Sequence, residues 1–174
     1  MPKLDDFIRD VPDFPKEGIV FKDITPLLAD AGALKKAVRQ LADPYRDKHV
    51  DVVVGMESRG FIFAPAVACE LGAGFVPTRK PGKLPAEAIS HSYELEYGTD
   101  TLEMHADAIK SGQRVLMVDD LIATGGTMAA ACALVRQVGG EIIGAAFLIE
   151  LCFLHGREKL PGLDVLSLIK VDGE

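Results

Sequence analysis

Apolar and polar positions alternate along this chain in two rhythms, one helical and one extended, and their order predicts an α/β fold. Leu4 to Val11 reads as a short amphipathic helix, and Ile19 to Phe21 as a brief extended piece. Behind Asp30, a helix-capping residue type, Leu34, Val38 and Leu41 recur at helical spacing up to Pro44. Val50 to Gly55 is an apolar strand, followed by a helix from about Gly60 to Leu71. Gly74 to Thr78, Arg114 to Val118, Ile142 to Ile149 and Val165 to Ile169 continue the strand series. A helix from Thr127 to Val138 is closed by Gly139 and Gly140. Strands apolar on both faces belong to a parallel sheet covered by helices. The expected fold is therefore an open, mostly parallel sheet of about five strands with flanking helices.

One stretch breaks the rhythm. Ser90 to Glu96 and Thr101 to His105 alternate around Tyr97-Gly98-Thr99-Asp100, which suggests a hairpin or flap. No repeat or low-complexity linker divides the chain, so 174 residues make one domain with a small appendage.

Composition narrows the picture. The chain is 48% hydrophobic and 26% charged, the make-up of a soluble globule. Its longest apolar run, Ile142 to Leu154, is interrupted by Glu150, and no membrane span is expected. The acidic start, Met1 to Asp6, lacks a signal-peptide core, so a cytoplasmic protein is expected. A net charge of −7 argues against nucleic acid as a partner. Cys69, Cys132 and Cys152 lie in apolar surroundings without metal-ligand spacing and read as buried, reduced thiols. Positive charge is concentrated at Arg79, Lys80 and Lys83, where Pro81 and Gly82 make a loop more suitable than a helix face.

The chemistry gathers at Val115 to Thr127. A buried β-branched strand ends in Asp119 and Asp120, and unpaired buried acids cost several kcal/mol, on the order of the penalty for buried ions. A hydroxyl-rich or metal-bound ligand explains them. In the turn Ala123-Thr124-Gly125-Gly126-Thr127, the glycines permit close backbone approach, the threonines supply hydroxyls, and the helix behind offers free N–H groups to a phosphate. The turn has neither the Gly-Lys-Ser/Thr of a Walker loop nor the spaced glycines of a dinucleotide fingerprint. Ribose on the acids and phosphate in the turn is the favoured reading. Met56 to Arg59 and Arg79 to Lys83 also fall at strand ends, the usual ligand side of such sheets.

This segment resembles the phosphoribosyl-diphosphate signature of type I phosphoribosyltransferases, and its Ala-Thr-Gly-Gly-Thr ending resembles their adenine branch. The likeness continues through Asp13-Phe14-Pro15, Gly18 to Ile24, Ser58 to Phe61, Arg79 to Pro85 and Leu95 to Gly98. It implies transfer of 5-phosphoribosyl from phosphoribosyl diphosphate to N9 of adenine, giving AMP and pyrophosphate. It also implies residues 1–32 as a hood over the purine, 33–174 as the core, and 79–105 as a flap. Asp119 and Asp120 would meet the ribose hydroxyls, and Ala123, Thr124, Gly125, Gly126 and Thr127 the phosphate. Glu57, Ser58, Arg59, Arg79, Lys80 and Lys83 would meet pyrophosphate, with a non-proline peptide, often cis in the family, at Glu57–Ser58. Pro81 stands where some relatives carry a base. The backbone of Val20 and Lys22 would pair with adenine while Phe21 stacks on it. Glu96 would handle the N9 proton beside Tyr97 and Arg59. Mg²⁺ would be held mainly through substrate oxygens, and a homodimer is implied. Two rivals stay open: a 6-oxopurine enzyme, opposed by Ala123 where such enzymes tend to carry an acid, and a non-catalytic regulator sensing phosphoribosyl diphosphate.

Overall fold

In a computed structural model, residues 3–94 and 98–173 are described. Five parallel strands form the central sheet: β3 (Val52–Met56), β4 (Gly74–Thr78), β7 (Arg114–Ile122), β8 (Glu141–Leu151) and β9 (Val165–Val171), in the order β4-β3-β7-β8-β9. Helices α2 (Ala31–Ala42), α3 (Gly60–Leu71) and α4 (Gly126–Gln137) supply its layers, with a short α1 at Thr25–Ala29. The expected α/β architecture is present, and the helix after β3 and the strand β4 have the boundaries read from the sequence.

Side-chain alternation on β7 builds two cores at once. Leu116 and Val118 join Phe63, Val67 and Leu41 on the α2–α3 side. Val115 and Met117 join Met128, Leu134 and Phe147 on the α4 side. All of these side chains are buried, so each helix is fixed by its apolar face. Asp30 caps α2, accepting from Ala33 N–H at 2.8 Å, as its residue type predicts.

Two small pairs of strands stand outside the central sheet. β1 (Arg9–Val11) runs antiparallel to β2 (Phe21–Asp23) near the amino terminus. The helix expected over Leu4–Val11 is thus reduced to a 3-10 turn at Asp5–Phe7, because pairing with β2 claims the backbone of its second half. The extended piece expected at Ile19–Phe21 lies two residues later for the same reason. β5 (Ala88–Glu94) and β6 (Thr99–His105) form the expected hairpin, but Thr99 and Asp100 pair with Glu94 and Tyr93 rather than sitting in a turn.

Two further expectations change. β7 does not end at Val118: β8 continues beside it, pairing Asp119 with Phe147 and Leu121 with Ile149. Asp119 and Asp120 therefore sit near the carboxyl end of the strand, with Leu121 and Ile122 continuing it past them. Of the thiols, Cys132 is buried, Cys152 half-buried and Cys69 exposed. Cys69 is seven residues from exposed Ile62, so both occupy the outward stripe of α3 while Phe63, Ala64, Val67 and Ala68 face inward. No helix among the described residues is long and apolar enough to cross a membrane.

Phe147 is fully buried between β7 and β9. Phe147→Ala should lower unfolding free energy by about 3–5 kcal/mol, transfer and cavity terms together. Urea titration followed by circular dichroism reads this directly; a loss under about 1 kcal/mol would show that the α4-side core closes the gap.

Candidate active site

The order β4-β3-β7 reverses direction between β3 and β7, and open parallel sheets bind ligands beyond the strand ends at such a point. A cavity of about 260 Å³ lies there. Its walls are Glu57, Ser58 and Arg59 after β3, Asp119 to Ile122 at the end of β7, and Ala123 to Met128 around the start of α4. Sequence reasoning had brought together most of these residues; it had passed over Leu121, Ile122 and Met128, which look like core positions by type.

Backbone makes much of this wall. The α2 start is capped by a side chain, whereas α3 and α4 begin without any side-chain cap. First-turn N–H groups have no helical partner, and the dipole at such an end favours an anion. Gly125 precedes α4 in the left-handed region at φ 78°, which a residue with a Cβ adopts at a penalty. A Cβ there would also stand 2.9 Å from the carbonyl carbon of Gly156, a residue packed behind the turn. Arg157 anchors that rear segment: it donates to both Glu150 oxygens, at 2.9 and 2.5 Å, and to the Val165 carbonyl at 2.8 Å. Nothing in the residue pattern marks this brace except a lone glycine after a histidine, Gly156 after His155.

The acids are asymmetric. Asp120 is buried, and Arg59 Nε lies 3.0 Å from its Oδ2. That approach is off the line of the N–H, so Oδ2 feels the guanidinium charge but accepts no directed hydrogen bond. Asp119 keeps some surface open to the cavity, and its Oδ1 accepts from Asp120 N–H at 2.9 Å. Gly60 lets α3 approach it: a Cβ on Gly60 would come 2.7 Å from Asp119 Oδ1. Burial, then the Asp120 charge, pushes the Asp119 carboxyl well above the usual range. Burial raises Asp120 as well, opposed chiefly by Arg59.

The basic loop is held by acids of its own. Arg79 donates to both Glu57 oxygens at 3.1 and 3.3 Å, and Lys80 N–H adds a third bond at 3.1 Å. These donors hold the Glu57 carboxyl below its ordinary range. The Glu57–Ser58 peptide is cis. Lys80 Nζ pairs with Asp100 on β6, while the Lys83 carbonyl accepts from Arg79 at 3.3 Å and its side chain is exposed. Glu96 and Tyr97 lie outside the described residues.

Across the mouth, the Arg59 guanidinium sits 5.3 Å from the centroid of the Phe21 ring, which itself meets Phe14 edge-on. Lys22 Nζ donates to Asp10 at 2.7 Å. Ile19, Val20 and Lys22 line a second cavity of about 350 Å³ with Leu151, Phe153 and Leu154, and Thr124 borders both cavities. Leu151 ends β8, and Phe153 and Leu154 follow it; all three belong to the apolar run Ile142 to Leu154, which carries no motif that marks a cavity wall.

Comparison with known proteins agrees with this geometry. Residues 27–161 match the model of the phosphoribosyl transferase domain family. The chain is 60% identical over 172 residues to the adenine phosphoribosyltransferase of Solibacter usitatus, covering 99% of each chain. The chain belongs to the adenine phosphoribosyltransferase family. Its fold matches the crystal structure of the Thermoanaerobacter pseudethanolicus adenine phosphoribosyltransferase with a TM-score of 0.93, at 54% identity and covering 97% and 98% of the two chains. The Saccharomyces cerevisiae enzyme, solved with an imino-altritol bisphosphate and adenine, matches at 0.90 with 43% identity, covering 95% of this chain and 96% of that one.

The acids of this family member make a stability prediction. Asp119 has a folded pKa above its unfolded value near 3.8, so the folded state binds more protons and stability falls as pH rises from there through the raised value. Asp119→Asn keeps an acceptor for Asp120 N–H but removes the charge. The ligand-free variant should melt above wild type near pH 7, about 7 being past the unfolded value, with the gap closing below about pH 4. Thermal melts across pH check this; a variant melting lower than wild type at neutral pH would contradict it.

Proposed function

We propose that this protein moves the 5-phosphoribosyl group of 5-phospho-α-D-ribose 1-diphosphate onto N9 of adenine. The C1–oxygen bond to pyrophosphate breaks, a C1–N9 bond forms, and AMP and pyrophosphate leave. The observation that carries this reading is two adjacent carboxylates, Asp119 partly open and Asp120 buried, beside an uncapped helix start in one cavity, with Arg59 the only cation within reach of Asp120 among the described residues. Ribose hydroxyls donate, and so suit acceptors that protein donors leave unfilled. A phosphate accepts, and so suits the α4 turn, Ala123 to Thr127.

In this scheme Arg59, Arg79, Lys80 and Lys83, with the backbone of Glu57 and Ser58, neutralise the leaving pyrophosphate. Residues 1–32 act as a hood, where Val20 and Lys22 pair with the adenine edge through their backbone and Phe21 stacks on its face. Residues 33–174 are the core. The flap, 79–105, brings Glu96 to the N9 proton while Tyr97 shields the ribosyl centre from water. Among the described residues, no three His, Cys, Asp or Glu side chains cluster as a metal cage. The paired acids and the unfilled Asp120 Oδ2 fit Mg²⁺ that keeps mostly water and substrate oxygens. Bound there, the ion offsets charge on the diphosphate. Free Cys69, Cys132 and Cys152 suit the reducing cytoplasm. The reading includes a homodimer, as the family resemblance implies.

Pyrophosphate release with adenine, hypoxanthine or guanine as acceptor tests the reaction. Adenine should exceed the 6-oxopurines in kcat/KM by roughly 10²-fold or more, since an oxo group leaves amine-matched groups unpaired. Comparable values would overturn the adenine assignment, and release with no purine dependence would overturn the transferase. Glu96→Gln should lower kcat by roughly 10²-fold, the scale of a lost general base, while leaving phosphoribosyl-diphosphate affinity within about twofold. Unchanged kcat in single-turnover experiments would remove Glu96 from the proton step.

A further inference from the structure

Tyr93 on β5 reaches across to the turn at the start of α4. Its ring packs on Gly126, where a Cβ would lie 3.4 Å from the ring. Its hydroxyl is 3.1 Å from Asp100 Oδ2 and 3.1 Å from Thr127 Oγ1. Asp100 Oδ2 also takes Lys80, and its Oδ1 accepts from Thr101 N–H at 2.8 Å. The hydroxyl thus stands between a flap carboxylate and a hydroxyl of the phosphate turn.

Counting protons fixes the direction of these bonds. A phenol has one proton to donate. Ionised Asp100, paired with Lys80, offers only lone pairs, so Tyr93 must donate to it. Thr127 must then donate to Tyr93, and its proton points at the hairpin and away from the cavity. A phosphate in the turn also offers only lone pairs and needs that proton. Thr127 can serve it and keep Tyr93 only if Tyr93 turns its own proton from Asp100 to Thr127.

We propose that Tyr93 is a positioning residue whose hydrogen-bond direction reverses when the turn binds phosphate, freeing the Thr127 proton for the ligand while the hairpin stays bonded to the turn. With the turn empty, the chain runs Thr127 to Tyr93 to Asp100. With phosphate bound, it runs from Tyr93 to Thr127 to the ligand, and each bond polarises the next. The hairpin keeps its bond to α4, now donated by Tyr93, and gives up the bond within itself to Asp100. The phosphate and Asp100 thus compete, through Tyr93 and Thr127, for the direction of one chain of protons. This relay rests on the phosphoribosyl reading of the turn.

The test is a double-mutant cycle with ribose 5-phosphate as probe, measured by titration calorimetry. Asp100→Asn weakens the bond that Tyr93 must leave, and also removes a negative charge near the site. Tyr93→Phe keeps the ring on Gly126 and abolishes the relay. Tightening by Asp100→Asn should be roughly threefold to tenfold greater with Tyr93 present than in Tyr93→Phe, the range one net hydrogen bond spans. Equal effects in both backgrounds would overturn the relay while leaving the phosphate site intact. Wild-type protein that fails to bind ribose 5-phosphate would overturn the phosphoribosyl reading and the relay together. A second readout needs no Asp100 variant: with tyrosine ring carbon labelled at Cζ, ribose 5-phosphate should shift the Tyr93 resonance, identified by its loss in Tyr93→Phe. An unmoved resonance at saturation overturns the proposal.

Discussion

Two neighbouring carboxylates sit inside a central strand of this protein, and much of the site follows from that placement. Asp119 and Asp120 both feel burial, and Asp119 also feels its neighbour's charge. Leaving such a charge buried and unpaired costs several kcal/mol, on the order of the penalty for breaking a buried ion pair. One guanidinium, from Arg59, answers Asp120, and it does so without a directed bond to Oδ2. The ligand-free site is therefore electrostatically incomplete. On the proposed reading, donor hydroxyls or a cation supply what the protein withholds, so that binding and charge compensation become one event.

Such a site needs rigid walls, because a soft one would relax around the acids. Here the rigidity comes from backbone meeting backbone or carboxylate. Gly60 lets α3 abut Asp119, and Gly125 lets the phosphate turn abut Gly156. Behind Gly156, the Glu150–Arg157 pair ties the segment to β8 and β9. Burial of Glu150 is tolerable because Arg157 meets both its oxygens, and this pairing holds the carboxyl below its ordinary range. The contrast with Asp120 is instructive: one buried acid is satisfied within the protein and braces the turn, and the other is left for a ligand.

How much of this could be read from residues depends on whether a feature is local. The strands, α3 and the capped start of α2 were legible because periodicity and capping are short-range properties. The acids and the small-residue turn were legible because their spacing is chemical as well as structural. The strand β1 was not, since Leu4 to Val11 has a helical pattern and only pairing with Phe21–Asp23 makes its end extended. The true length of β7 was hidden too, because it is set by β8 alongside. Gly156, Arg157, Tyr93 and the apolar wall at Leu151, Phe153 and Leu154 reach the site only through tertiary packing. Their residue types are ordinary, so no local pattern distinguishes them.

The division between rigid and movable parts bears on the order of events. The acids and the α4 turn belong to the central sheet and its helix, where buried side chains fill both faces. The basic loop is tied on by polar contacts, Arg79 to Glu57 and Lys80 to Asp100, whereas the hairpin adds the Tyr93–Thr127 bond to the burial of Leu102 and Met104 in the α4-side core. Half-exposed ion pairs of this kind contribute little to stability, about 0–1 kcal/mol each, and exchange readily for ligand contacts. In the proposed reaction a diphosphate in the cavity would compete for Arg79 and Lys80 with Glu57 and Asp100, which are acceptors of the same kind. The loop can therefore transfer its cations from protein to substrate without disturbing the core. On the proposed reading, that exchange couples the position of the loop to the charge of the ligand, while the acids and the α4 turn stay fixed by the core around them.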